Sequence, residues 1–379
     1  MNRRWVALEF ITRCLSVSQD PDNAKAVRAA INSQSLDWDI VLEIAETQKM
    51  APTIWASLRN KGLVKDLPPN ICGDLFKQHL LNTIRNKGLR EQAIEAICQL
   101  NALGITPILL KGGASLFVDT FIDAGSRVMS DLDILIPKES ASDCWNHLIN
   151  TLGYSPIEDN PYFFIDYRTH HHLRPLARPN SYGTIELHHS ALPNSAARIL
   201  ATSLIWRESK LVPNSLGLLV RIPSPTHRVL HNILHADLIN KTYAQARISL
   251  RSLHELVTMQ TVYGKDIDWQ LIEKLMSEGD RSQIPRASLY LAHRLFGSPI
   301  PDCMRPTRGT VAHYFQARFQ VDWRWLDRFV ERMLWFSNTN IRERYQCKDD
   351  FWSITKGRFR LATSLALRQS HRLFQSAPD

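Results

Sequence analysis

Apolar residues recur at three- and four-residue spacing in 24–31, 40–47, 50–58 and 72–82. That period puts them on one face of an α-helix, so residues 1–103 read as helical. Pro68 and Pro69 separate the last two segments. A further helix, Ala93 to Leu103, ends at Gly104, a residue suited to the left-handed position after a helix. The pattern then changes. Ile105 to Leu110 is a short apolar run closing on Lys111-Gly112-Gly113, and a helix is expected from Ala114 to Thr120. Past Asp123-Ala124-Gly125-Ser126, the stretch SDLDILIP reads as a strand stopped by Pro137. A helix over 139–151 ends before Gly153, and short strands are expected at 162–167 and 183–189. From about 195 the pattern is helical again. Ser224-Pro225 suits the N-cap and first turn of a helix running to Asp237, followed by helices at 244–261, 269–277 and 285–295. Past 310 the chain is aromatic, basic and helical.

Strands alternating with helices over about 100 residues indicate an α/β unit inside a larger helical protein. The expected organisation is a helical region 1–103, an α/β (α+β) core 104–195, and a helical region 196–379. No internal repeat or low-complexity linker interrupts it. The 379 residues are 44% apolar and 22% charged, the mix of a soluble globular protein. With 15 Gly, 19 Pro and 6 Cys, collagen-like, disordered and disulfide-scaffold classes are excluded. No run reaches the roughly 18 apolar residues of a membrane span, and Glu9 and Arg13 break any secretory apolar stretch near the N-terminus. Cys14, Cys72, Cys98, Cys144, Cys303 and Cys347 form no CxxC pair, so they are expected as small buried hydrophobes in a reducing cytoplasm.

Charge adds one asymmetry. There are 46 Lys+Arg and 37 Asp+Glu, a balance of +9. Residues 281–379 hold 17 and 8 of these, which is the whole excess; residues 1–280 hold 29 of each. The tail segments DWRWLDRFVERMLWF and KGRFRLATSLALRQSHRLF interleave aromatics with Arg. They read first as amphipathic helices with Arg stems over an apolar core, next as an RNA or other anionic-partner surface, and last as a membrane-surface element.

The chemistry concentrates between Lys111 and Ile136. Alternation along a strand puts Asp131 and Asp133 on one face and Leu132, Ile134 and Ile136 on the other. Two adjacent carboxylates repel unless a cation lies between them, and Mg²⁺ is typically held by one or two carboxylates plus substrate phosphates. Upstream, Gly112-Gly113 joins a strand to a helix, where backbone N–H groups can meet phosphate, and Lys111 offers a point charge. Downstream, TIELHHS places Glu186, a candidate third carboxylate, on one face with Thr184 and His188. Two metals held by three carboxylates suit in-line displacement at phosphorus.

LLKGG, RVMSDLDILI and IELHH, in that order, resemble the motifs of the DNA polymerase β-like nucleotidyltransferase superfamily. More narrowly, they are similar to the bacterial "nucleotidyltransferase family protein" group, largely uncharacterised, with its LKG, R…DIDLLV-like and EIHW-like elements. ETQKMAPTIWASL and PTHRVLHNILHADL resemble that group's flanks, so the likeness covers most of 40–260. Gly113 stands where the wider superfamily often has Ser, and His189 where an aromatic is common after EIH. The resemblance implies a small mixed-sheet nucleotidyltransferase core and Mg²⁺- or Mn²⁺-dependent transfer of a nucleoside monophosphate from an NTP, such as ATP, to an unidentified acceptor (a small molecule, peptide, protein or RNA) with release of pyrophosphate. It implies that Asp131 and Asp133 bind both metal ions, that Glu186 completes the nucleophile-side site, and that Gly112 and Gly113 contact the β- and γ-phosphates.

Around these five stand further candidates. Lys111 binds triphosphate or caps the strand in solvent. Arg127 contacts phosphate or orients a carboxylate. Ser130 suits a turn amide. His188 positions Glu186, touches nucleotide or makes a structural hydrogen bond. In His170-His171-His172 alternate rings are expected to point together, without the spacing of a zinc site. His227, His231 and His235 share a helix face without a HExxH motif, as a cleft-lining stripe or a packed interface. A metal-dependent glycosyltransferase also uses D-x-D, though the Lys-Gly-Gly element and third acidic strand speak against it. A nucleotide-binding regulator without turnover is the non-enzymatic alternative.

Overall fold

A computed structural model describes residues 3–16, 21–33, 36–158, 167, 170–345, 348 and 350–375. The expected strand at 162–167 therefore lies, except for Tyr167, outside the described residues. The chain divides into a large compact unit, Met1–Ile157 with Tyr167–Asp322, and a second that contains Trp323–Asp379.

The large unit opens with α1 (Arg3–Leu15), α2 (Pro21–Ile31), α3 (Trp38–Thr47) and α4 (Ala51–Asn60). Asp37 caps α3 by accepting from the Ile40 amide at 3.3 Å. The next helix corrects the sequence reading. Segments 72–82 and 93–103 are one 34-residue helix, α5 (Pro69–Ala102), with Gly104 at φ +75° just past its end. The helix runs through 83–92 because its inward face there is polar. Asn82 Nδ2 donates to the carbonyls of Gly125 and Arg127 at 2.7 and 2.9 Å, and Asn86 Nδ2 to those of Ala124 and Arg127 at 2.6 and 2.7 Å. His79 Nε2 lies 3.0 Å from Asp123 Oδ1, and Gln92 donates to Gly183 O at 2.8 Å. Phe76, Leu80 and Leu81, apolar positions of the 72–82 segment, are exposed, as is Ile84 beyond it. This buried polar ladder satisfies the backbone of the loop that leads into the D-x-D strand.

Next come β1 (Ile108–Leu109), α6 (Lys111–Ala114), β2 (Asp131–Leu135), α7 (Ala141–Leu152), β3 (Ser155–Pro156), β4 (Leu176–Ala177) and β5 (Thr184–His188). After α8 (Asn194–Ala197) and α9 (Thr202–Glu208), β6 (Lys210–Leu211) and β7 (Arg221–Ile222) follow. These last two strands stand where an all-helical stretch was expected; each is only two residues long, too short for a period-two pattern to show. The sheet order is β3-β4-β5-β2-β1-β7-β6, with β2 parallel to β5, β1 parallel to β7 and the other pairs antiparallel. Leu132, Ile134 and Ile136 are fully buried among side chains of α5 and α7, as the alternation of β2 predicts.

The helices α10 (Pro225–Ile233), α11 (Thr242–Gln245), α12 (Leu250–Tyr263), α13 (Trp269–Glu278), α14 (Gln283–Phe296) and α15 (Arg308–Asp322) complete the unit. Ser224 caps α10 by accepting from the His227 amide. Its end loosens into a π-helical turn, Leu234–Ile239. The helix expected from 244 begins only at Leu250. These helices join α1–α4 in a core that also takes Ile108, Leu110 and Leu135 from the sheet.

Cys14 and Cys144 are buried, Cys72 and Cys303 half-buried and Cys98 exposed, so burial holds for only part of the cysteines; Cys347 lies outside the described residues. The second unit holds α16 (Arg324–Trp335), α17 (Asn338–Tyr345) and α18 (Phe351–Gln375) around a small core of Ile341, Ile354 and Leu361. Trp325, Phe329, Met333, Phe351, Trp352 and Phe359 are exposed. Among the described residues no helix is long and apolar enough to cross a membrane.

Candidate active site

The register of two parallel strands builds the site. Asp131 stands opposite Thr184, Asp133 opposite Glu186 and Leu135 opposite His188. The acidic residues of β2 and β5 thus share one edge. Ligand atoms of Asp133, Glu186 and His188 lie within 4.8 Å of one another. This tight trio differs from Asp131, Asp133 and Glu186: His188 takes the third place, and Asp131 stands two residues back along β2.

Lys111 supplies a cation from the chain itself. It opens α6 in the left-handed region, φ +44°, a conformation that costs energy for a side chain with a Cβ. Its Nζ donates to Asp133 Oδ1 at 2.6 Å, and His188 Nε2 donates to the same oxygen at 2.9 Å. Lys111 is therefore paired with a buried carboxylate, not standing in solvent. Burial alone would raise the pKa of Asp133, but Lys111 and His188 outweigh it and hold the carboxyl well below its usual range. Burial likewise works against the Lys111 charge, and pairing with Asp133 overrides it, leaving the ammonium pKa raised. Burial first and Asp133 second push Asp131 upward. Burial pushes Glu186 upward, but His188, 3.6 Å away, and His172 together outweigh it and leave the carboxyl lowered. Burial works against a charge on His188, yet its bond to Asp133 and the nearby Glu186 carboxylate, 3.6 Å away, raise its pKa.

Gly112 and Gly113 lie inside α6, which starts at Lys111 rather than Ala114 and ends by Ala114, well short of Thr120. A Cβ on Gly112 would stand 2.0 Å from Arg127 Nη1 and 2.4 Å from Met129 Sδ, so only glycine lets Arg127 pass. Arg127 does pair with a carboxylate, but with Glu255 of α12: Nε to Oε1 3.0 Å, Nη2 to Oε2 3.2 Å. Arg251 Nε meets Glu255 Oε1 at 3.2 Å. The two guanidiniums outweigh burial and depress Glu255. Arg228, also buried, donates to the hydroxyls of Tyr263 and Thr120, tying α10 to the segment after α6. Ser130 is exposed, its hydroxyl 3.5 Å from Asp131 Oδ1 rather than on a turn amide.

The histidines divide. The rings of His170 and His172 come together as expected, centroids 4.1 Å apart, and His171 joins them at 4.2 and 4.8 Å. Their ligand atoms lie within 4.8 Å of one another. Along α10 the histidine stripe is a packed interface. His227 is fully buried 3.4 Å from Glu208, and His231 is buried as well. Burial first, then the Lys111 charge, lowers both His231 and His235, the latter to about 4. Asp237, in the π turn, is held by Thr242 and by Ser288 Oγ at 2.5 Å. Sequence reasoning missed Glu255, Arg251 and the Asn82–Asn86 pair. The asparagines had a signal, four-residue spacing in a helix; the other two had none.

A family model described as "Uncharacterised nucleotidyltransferase" matches residues 34–297. The match takes in every residue above and stops before most of the basic excess. No curated protein matches the chain. Among solved structures, the antibiotic-resistance factor ANT(2'')-Ia is similar at 14% identity and a TM-score of 0.33, covering 54% of this chain and 96% of that one.

Proposed function

The chain belongs to that nucleotidyltransferase family, and on this premise we propose that it moves a nucleoside monophosphate from an NTP to an acceptor nucleophile with release of pyrophosphate. The observation that carries the reading is the register of Asp133 against Glu186, with Asp131 on the same face. The donor set fits a hard divalent cation. Three carboxylates crowd one edge, and burial with mutual repulsion already disfavours the ionised form of Asp131. A cation there relieves both effects.

Asp131, Asp133 and Glu186 would hold Mg²⁺, or Mn²⁺ in its place. When bound, the metal activates the attacking hydroxyl and neutralises the leaving pyrophosphate. The chain's own residues do the rest. His188 fixes Asp133 from the buried side. Glu186, ionised at neutral pH, is placed to accept the proton of the incoming nucleophile. Lys111 opens α6 beside the amides of Gly112 and Gly113, where an ammonium and N–H donors together suit a triphosphate. Arg127, engaged with Glu255, holds this turn in place, and Ser130 lies at the exposed rim. The acceptor is a small molecule, a peptide or a protein with a free hydroxyl or comparable nucleophile.

Incubation with each α-labelled NTP, Mg²⁺ or Mn²⁺ and a cell lysate should transfer label to an acceptor. Label that never leaves the NTP, or that moves equally with Asp131→Asn, overturns the reading.

A further inference from the structure

We propose that His170, His171 and His172 form a second cation site, for a borderline divalent transition ion of the Zn²⁺ class, beside the carboxylate edge and bordered by its Glu186. On a straight strand three consecutive side chains alternate between faces. Here the backbone is a strand only at the His172–His188 bridge. The His171 carbonyl accepts from the amides of both His189 and Ser190, at 3.2 and 3.1 Å, and the Leu173 amide donates to Leu187 O at 2.9 Å. These bonds pin the run against the end of β5 and turn all three rings to one side.

The gathered rings present unspent lone pairs. Nδ1 of His170 and Nδ1 of His171 are buried, and neither has a hydrogen-bond partner among the described residues. A buried polar atom left without a hydrogen-bond partner is unfavourable, so two in adjacent residues call for a ligand. His172 is already oriented: its Nδ1 lies 2.7 Å from the Leu173 carbonyl, which makes that nitrogen the donor. Its Nε2 therefore faces Glu186 Oε2, 3.6 Å away, with a free lone pair. A backbone carbonyl on the far nitrogen is the arrangement that orients metal-binding imidazoles.

Three imidazoles with a carboxylate at the edge suit Zn²⁺ and its neighbours, whereas Mg²⁺ prefers an all-oxygen shell. The nitrogens now spread up to 4.8 Å. Ligands about 2.1 Å from a tetrahedral ion stand about 3.4 Å apart, so the rings close by roughly an ångström on binding. His170 and His171 are partly exposed, giving the ion a way in.

The test uses the full chain, stripped with chelator and dialysed against Zn²⁺ in excess Mg²⁺, with bound metal measured directly. One Zn²⁺ per chain is expected, with affinity reduced 10–100-fold in His171→Ala and in His170→Asn and unchanged in Asp131→Asn. No stoichiometric Zn²⁺, Zn²⁺ retained by both histidine variants, or equal loss in Asp131→Asn overturns the site. If a histidine variant fails to fold, side-chain ¹⁵N resonances of the wild-type chain decide. Zn²⁺ should shift the imidazole nitrogens of His170, His171 and His172; shifts confined to other histidines overturn the site. Label transfer with Mg²⁺ alone stands or falls separately.

Discussion

The ammonium of Lys111 lies 2.6 Å from Oδ1 of Asp133, within a group of carboxylates that would otherwise repel one another. A strained backbone at Lys111 and full burial of Asp133 are the costs of that contact. The chain thereby carries a cation at its acidic edge.

Replacing Lys111 by Met should leave Asp133 buried with only His188 beside it. Breaking such a pair from one side costs about 3 kcal/mol. Urea unfolding should show a lower midpoint at unchanged slope; a loss under about 1 kcal/mol would show that the pair does not hold the site.

Asp131→Asn should separate function from stability. Burial and Asp133 both disfavour the ionised carboxylate, so at neutral pH Asp131 opposes folding. The variant should melt at an equal or higher temperature than wild type, lose the rise in Tm that Mg²⁺–NTP confers, and transfer no label. A clear drop in Tm contradicts the electrostatic account.

Gly112→Ala and Gly113→Ala should differ. The new Cβ at 112 meets Arg127 Nη1 at 2.0 Å, and Arg127 cannot move without leaving Glu255; at 113 the nearest atom is 3.6 Å away. The first should cost about 1–3 kcal/mol, the second much less. Equal losses in denaturant midpoints would remove the steric explanation.

His254 makes stability acid-sensitive. Burial lowers its pKa from 6.5 to about 4. Between those values the unfolded chain binds a proton that the folded chain refuses, so the stability is complete above pH 6.5 and falls toward pH 4 by about 3 kcal/mol. His254→Phe should flatten the fall of Tm across that window, and an unchanged slope would place the acid sensitivity elsewhere.

Neutralising the exposed Lys356 and Arg360 with Gln should leave the Tm shift on adding Mg²⁺–NTP as in wild type, because the family match ends at 297. A lost shift would bring the basic tail into the nucleotide site.

The sequence by itself determined the strand that carries Asp131 and Asp133, the buried partner face of Leu132, Ile134 and Ile136, the helices from 224 to 322 except for the separate α11 and where α12 begins, and the family likeness. Each of these rests on local periodicity or on residues close in the chain. Tertiary structure alone decided the rest. It paired Lys111 with Asp133 and Arg127 with Glu255, 128 positions away, and made a single helix of two expected segments. It also turned three consecutive histidines to one side. Local pattern records which residues share a face of their own element. It carries nothing about which distant charge meets them, because that is set by the register of β2 on β5 and by the packing of α10 on α6 and of α12 on α10.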